Sequence, residues 1–127
     1  MTKISRFKLN PKELNFLLND LWQDLADIDE AEKVYTFLKP FFSPTEGIMF
    51  AKRLEILKRL RQEESYDLIM GDLKVTPNTV SKMNNLLHLA NNKFLEILDE
   101  LITLKNKRME KLRKKPFHPS KMFHPIR

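Results

Sequence analysis

Cysteine is absent from this sequence, which removes disulfide frameworks, thiolate metal sites and cysteine nucleophiles together. Glycine is nearly absent, with two residues in 127. No Gly-rich phosphate loop, nucleophile elbow or His-Glu-x-x-His run occurs. With Leu, Lys, Glu and Asn abundant, this composition favours helices throughout and disfavours sheets. Long apolar runs are also missing, and none approaches the length that spans a membrane. The opening MTKISRFKLNPKEL holds no apolar segment suited to a signal peptide, so the expectation is a cytoplasmic protein without a membrane partner. Of the three histidines, His88 falls in a helical pattern, while His118 and His124 lie in the proline-rich ending PFHPSKMFHPIR. That pair has no further ligands and no convergent acid, so neither a metal nor another cofactor is expected. The carboxylates sit at positions of solvated helical faces, where paired-acid chemistry has no support, and an enzyme is not expected.

The length suits one domain able to bury a core without staples. Its net charge of +6 is unevenly spread. From Lys105 onward nine basic residues face Glu110 alone, whereas the preceding residues hold fourteen basic and sixteen acidic side chains. An acidic cluster of Asp20, Asp24, Asp27, Asp29, Glu30 and Glu32 stands toward the other end. Such a basic segment attracts polyanions, nucleic acid above all, and it equally suits a solvated helix end that complements its own dipole. Charge alone leaves both open.

The periodicity gives six helices. NPKELNFLLNDLWQDLADI begins with Asn10 as cap and Pro11 at the first helical position, and Leu14, Leu17, Leu18, Leu21, Trp22 and Leu25 share one broad face. DEAEKVYTFLKPFF reads as a shorter helix that Pro40 ends. SPTEGIMFAKRLEILKRLRQEE carries the capping-box pattern Ser43-Pro44-Thr45-Glu46, with Ile48, Ala51, Leu54, Leu57 and Leu60 toward a core. SYDLIMGDL follows, capped by Ser65, and then the helix of TPNTVSKMNN. The last helix, NNKFLEILDELITLKNKRMEKLRKK, has a near-heptad stripe of Phe94, Leu98, Leu101, Ile102, Met109 and Leu112, which suits a partner helix or intramolecular packing. The ending with its doubled Phe-His-Pro reads as an irregular arm. The expected organisation is an N-terminal arm over 1–9, an all-helical domain over 10–104 and a basic extension over 105–127.

DLKVTPNTVSKMNN, residues 72–85, poses the functional question. Thr76 is a helix cap and Pro77 suits the first helical position. Val80, Met83, Asn84 and Leu87 share a face, while Asn78, Thr79, Ser81, Lys82 and Asn85 point elsewhere, a hydrogen-bonding set with one cation and no acid. Base edges accept such a surface, and so does water. Two short helices joined by Lys74-Val75-Thr76 have the spacing of a helix-turn-helix, with Leu68, Ile69, Leu73, Val75, Val80 and Met83 as its small core. The turn position commonly held by glycine is Lys74, so an ordinary helical corner also fits the local pattern.

The run FSPTEGIMFAKRLEILKRLRQEESYDLIMGDLKVTPNTVSKMNN resembles the Trp repressor family, closest to its subgroup without an established ligand. Ser43-Pro44-Thr45-Glu46 opening a helix, AKRLEIL within it, Ser65 starting the next and VTPNTVSK in the reading helix match in order. The resemblance covers residues 10 to about 102 by helix order, and its specific part is 42–85. It implies an all-α, six-helix fold with a helix-turn-helix at about 65–87, assembled as an intertwined homodimer. In the family's co-repressor pocket, Arg53 matches the arginine that stacks on the ligand ring. Lys82 replaces the arginine that grips its carboxylate, keeping the charge and losing the bidentate fork. Met83 replaces a glycine and projects toward the space of the indole.

The resemblance therefore implies a repressor-like regulator that binds double-stranded DNA as a dimer, reads a palindromic operator through the major groove and does not respond to tryptophan. A different small-molecule effector remains open. Asn78, Thr79, Ser81, Lys82 and Asn85 are the candidates for base or phosphate contact, while Lys74 and Lys52, with Arg53 and Lys58 near them in sequence, suit phosphates. Two other readings fit the residues: a helical scaffold that has lost DNA reading, and RNA binding through the basic tail.

Overall fold

The computed structural model describes residues 8–113, and these are helical without strands. The ending with His118 and His124, the cations from Lys114 onward and residues 1–7 of the N-terminal arm lie outside the described residues. The chain divides into two compact units, 1–42 and 43–127.

In the first unit, helix α1 runs over Pro11–Asp27 and helix α2 over Ala31–Leu38. Asn10 caps α1 by accepting the Glu13 N–H at 2.9 Å, and Pro11 occupies the start, where an N–H would have no partner. Along the face built by Leu14, Leu17, Leu18, Leu21 and Trp22 every side chain is exposed, and α1 buries no residue within a single chain. The second helix ends sooner than Pro40 alone would require. Its α-helical part stops at Leu38, and a 3-10 turn, Lys39–Phe41, carries the chain through the proline. The tighter hydrogen bonding of that turn tolerates a proline near its start.

The second unit contains α3 (Pro44–Arg61), α4 (Tyr66–Leu73), α5 (Pro77–Leu89) and α6 (Asn92–Arg113). Both halves of the capping box form on α3: Ser43 Oγ accepts the Glu46 N–H at 3.1 Å, and Glu46 accepts the Ser43 N–H at 2.8 Å. The bond from the Ser43 N–H holds the Glu46 carboxyl below its ordinary range, and the Ser43 hydroxyl adds to the effect. Asn91 caps α6 by accepting the Phe94 N–H at 2.8 Å.

Helix α3 is the spine, and it packs against α4, α5 and α6. Ile56, adjacent to Leu57, is fully buried with Ile69 of α4 and Val80 of α5, and Leu60, Met70, Leu73, Val75 and Met83 pack around them. Leu57 turns to a second cluster with Leu98 and Ile102 of α6, joined by Leu54, Met83 and Leu87. This corrects the single-face expectation for α3, in which Ile48 and Ala51 faced the core and Ile56 did not. Ile48 and Ala51 are exposed, and Ile56 and Leu57 are both buried because a helix flanked on two sides buries neighbouring residues about 100° apart. Leu68 of the expected small core is likewise exposed, and Met70 takes part instead. The stripe expected on α6 divides: Leu98 and Ile102 turn inward, while Phe94, Leu101, Met109 and Leu112 are exposed together with Ile97 and Leu104. Burying each of the three side chains of the first cluster contributes about 1.5–3 kcal/mol, which is what holds α5 at its angle.

Candidate nucleic-acid interface

Between α4 and α5 the chain turns through Lys74, Val75 and Thr76. Ser65 Oγ accepts the Leu68 N–H at 3.3 Å and fixes the start of α4. At its end Lys74 adopts the left-handed conformation, φ 54° and ψ 56°, and its N–H bonds to the Met70 carbonyl. The Val75 N–H reaches the same carbonyl at 3.4 Å, and Val75 packs into the first cluster. The position where glycine is common in such turns is thus left-handed here too, occupied by a lysine at a cost of about 1–2 kcal/mol. Thr76 then caps α5, accepting the Thr79 N–H at 3.3 Å, with Pro77 at the first helical position.

Taking Val80, fully buried, as the inward direction, a step of about 100° per residue places Ser81, Asn85, Asn78 and Lys82 at roughly 100°, 140°, 160° and 200° from it. All four are exposed, and together they form a face with four hydrogen-bonding side chains, one cation and no carboxylate. Thr79 stands apart. It is half-buried, and its hydroxyl lies 3.1 Å from the Thr76 hydroxyl, so part of its bonding capacity belongs to the cap.

Lys74 is exposed in the turn, and Lys52 of α3 donates to the Lys74 carbonyl at 3.4 Å. This places two cations expected at phosphates beside each other. Arg53 is exposed on α3 and Lys82 is exposed on α5, whereas Met83 is half-buried and packs against both hydrophobic clusters. Of the three residues carried over from the co-repressor pocket, Met83 alone sits in the core.

A network of charges braces this arrangement. Arg59 of α3 donates through Nη2 to Asp72 of α4 at 2.8 Å, and its Nε lies 3.3 Å from Glu64 and 3.6 Å from Glu55. The Asp72 bond is the main reason that the Arg59 guanidinium holds its proton more tightly than usual. Among the described residues, its Nη1 is the buried side-chain polar atom without a hydrogen-bond partner. Glu55 also receives Lys105 of α6 at 2.6 and 2.7 Å, and Arg61 clamps Asp99 of α6 with two bonds of 2.8 and 3.1 Å. Bidentate pairing fixes orientation as well as distance. Sequence reasoning missed these partners. The Glu55–Arg59 spacing of four residues was its one local signal, and contacts spanning 38 and 50 residues leave none. Lys58, between those pairs on α3, has its pKa lowered, first by burial, then by Lys105, with Arg108 adding to the effect and Glu55 opposing it.

No described helix is long and apolar enough to cross a membrane. A search of curated proteins and a search of solved structures each match nothing. The family model described as Trp repressor protein matches residues 16–102, more than half of the chain.

Proposed function

This chain belongs to the Trp repressor family, a family of DNA-binding transcriptional regulators, and from that premise we propose that it is a sequence-specific regulator acting as a homodimer on a palindromic operator. The observation that carries the proposal is the acid-free face of α5, where Asn78, Ser81, Lys82 and Asn85 stand exposed opposite the buried Val80. Asparagine pairs bidentately with adenine in the major groove, and lysine reaches guanine O6 and N7. Lys74 and Lys52 engage flanking phosphates and set the register of the helix on the duplex. Thr79 contributes at the edge of this face, through the capacity its cap leaves over.

Two features support a dimer. Helix α1 exposes Leu14, Leu17, Leu21 and Trp22, and α6 exposes Phe94, Ile97, Leu101 and Leu104 at alternating three- and four-residue intervals. Apolar rows of this kind are the seams of helix pairing. Two reading heads related by two-fold symmetry engage half-sites about 10 base pairs apart, the spacing usual for helix-turn-helix dimers.

The regulator acts in the cytoplasm and does not answer to tryptophan. Met83 fills core space that a glycine would leave open, and Lys82 offers a point charge where a carboxylate-gripping fork would be needed. Selection from random duplexes tests the proposal: a palindromic consensus is expected, and Asn78→Ala or Lys82→Ala should each weaken binding to it by about 5- to 150-fold per half-site and relax preference at one base pair per half-site. A selection returning no consensus sinks it. Calorimetry with tryptophan should give no binding heat, and a saturable isotherm would refute the insensitivity.

A further inference from the structure

The family match ends at Ile102, whereas α6 continues unbroken to Arg113. Two ion pairs show where this continuation runs. Arg61 meets Asp99, and Glu55 meets Lys105. Six residues backward along α3 therefore correspond to six residues forward along α6, an antiparallel register. Extrapolated by three residues in each direction, that register directs Arg108 toward the level of Lys52, the residue whose ammonium donates to the carbonyl of the helix-turn-helix turn.

Cations accumulate along this seam. Lys58 projects from α3, one turn after Glu55, while Lys105, Arg108 and Lys111 follow at three-residue steps on α6, each turned about 60° from the last, with Glu110 the one acid among them. The nearest counter-charge, Glu55, is already engaged by Lys105 and Arg59. Lys58, half-buried, makes no side-chain hydrogen bond or ion pair among the described residues, and its ammonium is destabilised by desolvation and by the charges of Lys105 and Arg108. The opposite charge of an anion at this place would offset both effects.

We infer that Lys58, Arg108 and Lys111, organised by Lys105 on Glu55, form a second track for nucleic-acid phosphates beside the reading head. The inference rests on the proposed DNA reading and adds a contact region whose α6 part, Arg108 and Lys111, lies outside the family match. An extended polyanion fits better than a small anion for two reasons. Lys105 to Lys111 covers about 9 Å of helix axis, and DNA presents one charge per roughly 1.7 Å of duplex. The sequence then continues with Arg113, Lys114 and Lys115, extending the same sign of charge.

The test uses the full chain with Lys58→Gln and Arg108→Gln together, titrated on the selected operator at several salt concentrations. Each phosphate contact contributes about 0.9 to the salt slope, and the dimer carries each substitution twice, so the double variant should bind with a slope shallower by about 3.6. Equivalently, raising salt from about 50 to 200 mM should weaken it roughly 150-fold less than the wild type. The selected consensus should stay the same, and thermal melting should show an intact fold, since neither side chain makes an ion pair among the described residues. An unchanged slope with the operator still bound overturns the track and leaves the reading head standing. If inorganic phosphate raises the melting temperature of the wild type alone while the slopes agree, the site is one for small anions and the track is likewise refuted. Should the wild type select no operator, the reading head fails, and the track falls with it.

Discussion

Replacing Lys74 with glycine should move stability and DNA affinity in opposite directions. Lys74 holds φ 54° and ψ 56°, a conformation that costs a residue with a Cβ about 1–2 kcal/mol and costs glycine nothing. Against this, glycine gives the unfolded chain more freedom, which removes about 0.4–1 kcal/mol of the gain. The bonds that organise the turn all use backbone groups: the Lys74 and Val75 N–H groups on the Met70 carbonyl, and the Lys74 carbonyl accepting from Lys52. All survive the substitution. The net expectation is a stabilisation of about 0.5–1 kcal/mol, or roughly 2–5 °C in Tm for a chain of this size. The ammonium lost from each subunit of the dimer should at the same time weaken operator binding and flatten its salt slope by about 1.8. Urea unfolding at fixed protein concentration measures the first quantity, and fluorescence anisotropy at several salt concentrations the second. A destabilised variant would refute the account of the turn, and unchanged affinity and slope would refute the phosphate role of Lys74.

Three further outcomes follow from the same structure. Val80→Ala should cost about 2–3 kcal/mol, read as a lower urea midpoint at constant m-value, because a fully buried side chain between Ile56 and Ile69 leaves a cavity. Gly71→Ala should stabilise by about 0.5–1 kcal/mol, since a Cβ there meets nothing within 4 Å and alanine is the better helix former; a loss in the same urea assay would refute this. Acid should weaken the fold through Asp99, depressed by its hydrogen bond to Arg61, and through Glu46, depressed by its bond to the Ser43 backbone. Both are lowered in the folded state, so their stabilisation is present above the ordinary carboxylate range and fades as pH falls through the depressed values. Urea midpoints taken from pH 6 down to pH 3 should decline, and Asp99→Asn with Glu46→Gln should flatten that decline; an equal decline in the variant would reject the assignment.

Helix starts were legible in the sequence because their signals are local. Asn10, Ser43, Ser65 and Thr76 each accept from the N–H three residues ahead, as their residue types and the following Pro11, Pro44 and Pro77 suggested. The outward set on α5 was legible for the same reason, apart from Thr79, whose hydroxyl is shared with its own cap. What was not legible depends on neighbours distant in sequence. Ile56 is the centre of the core because α3 has partners on two sides, and an amphipathic pattern assumes one. The Arg61–Asp99 and Glu55–Lys105 pairs follow from the crossing of α3 and α6, which no spacing rule encodes. Met83 read from sequence as a pocket filler, and it packs half-buried against both clusters, a contact the sequence did not indicate.

The three ionic ties of α3 differ in how much chain they enclose, and this bears on the order of assembly. Arg59 reaches Asp72 across 13 residues, while the two ties to α6 span 38 and 50. Closing the longest loop costs about 1 kcal/mol more entropy than closing the shortest. The turn between α4 and α5 can therefore organise on α3 early, with α6 adding its cover over Leu57 last. On a ribosome the same order holds by geometry, since α6 emerges after the helices it closes upon. The seam that joins α6 to α3 is thereby expected to be the last part of the second unit to form.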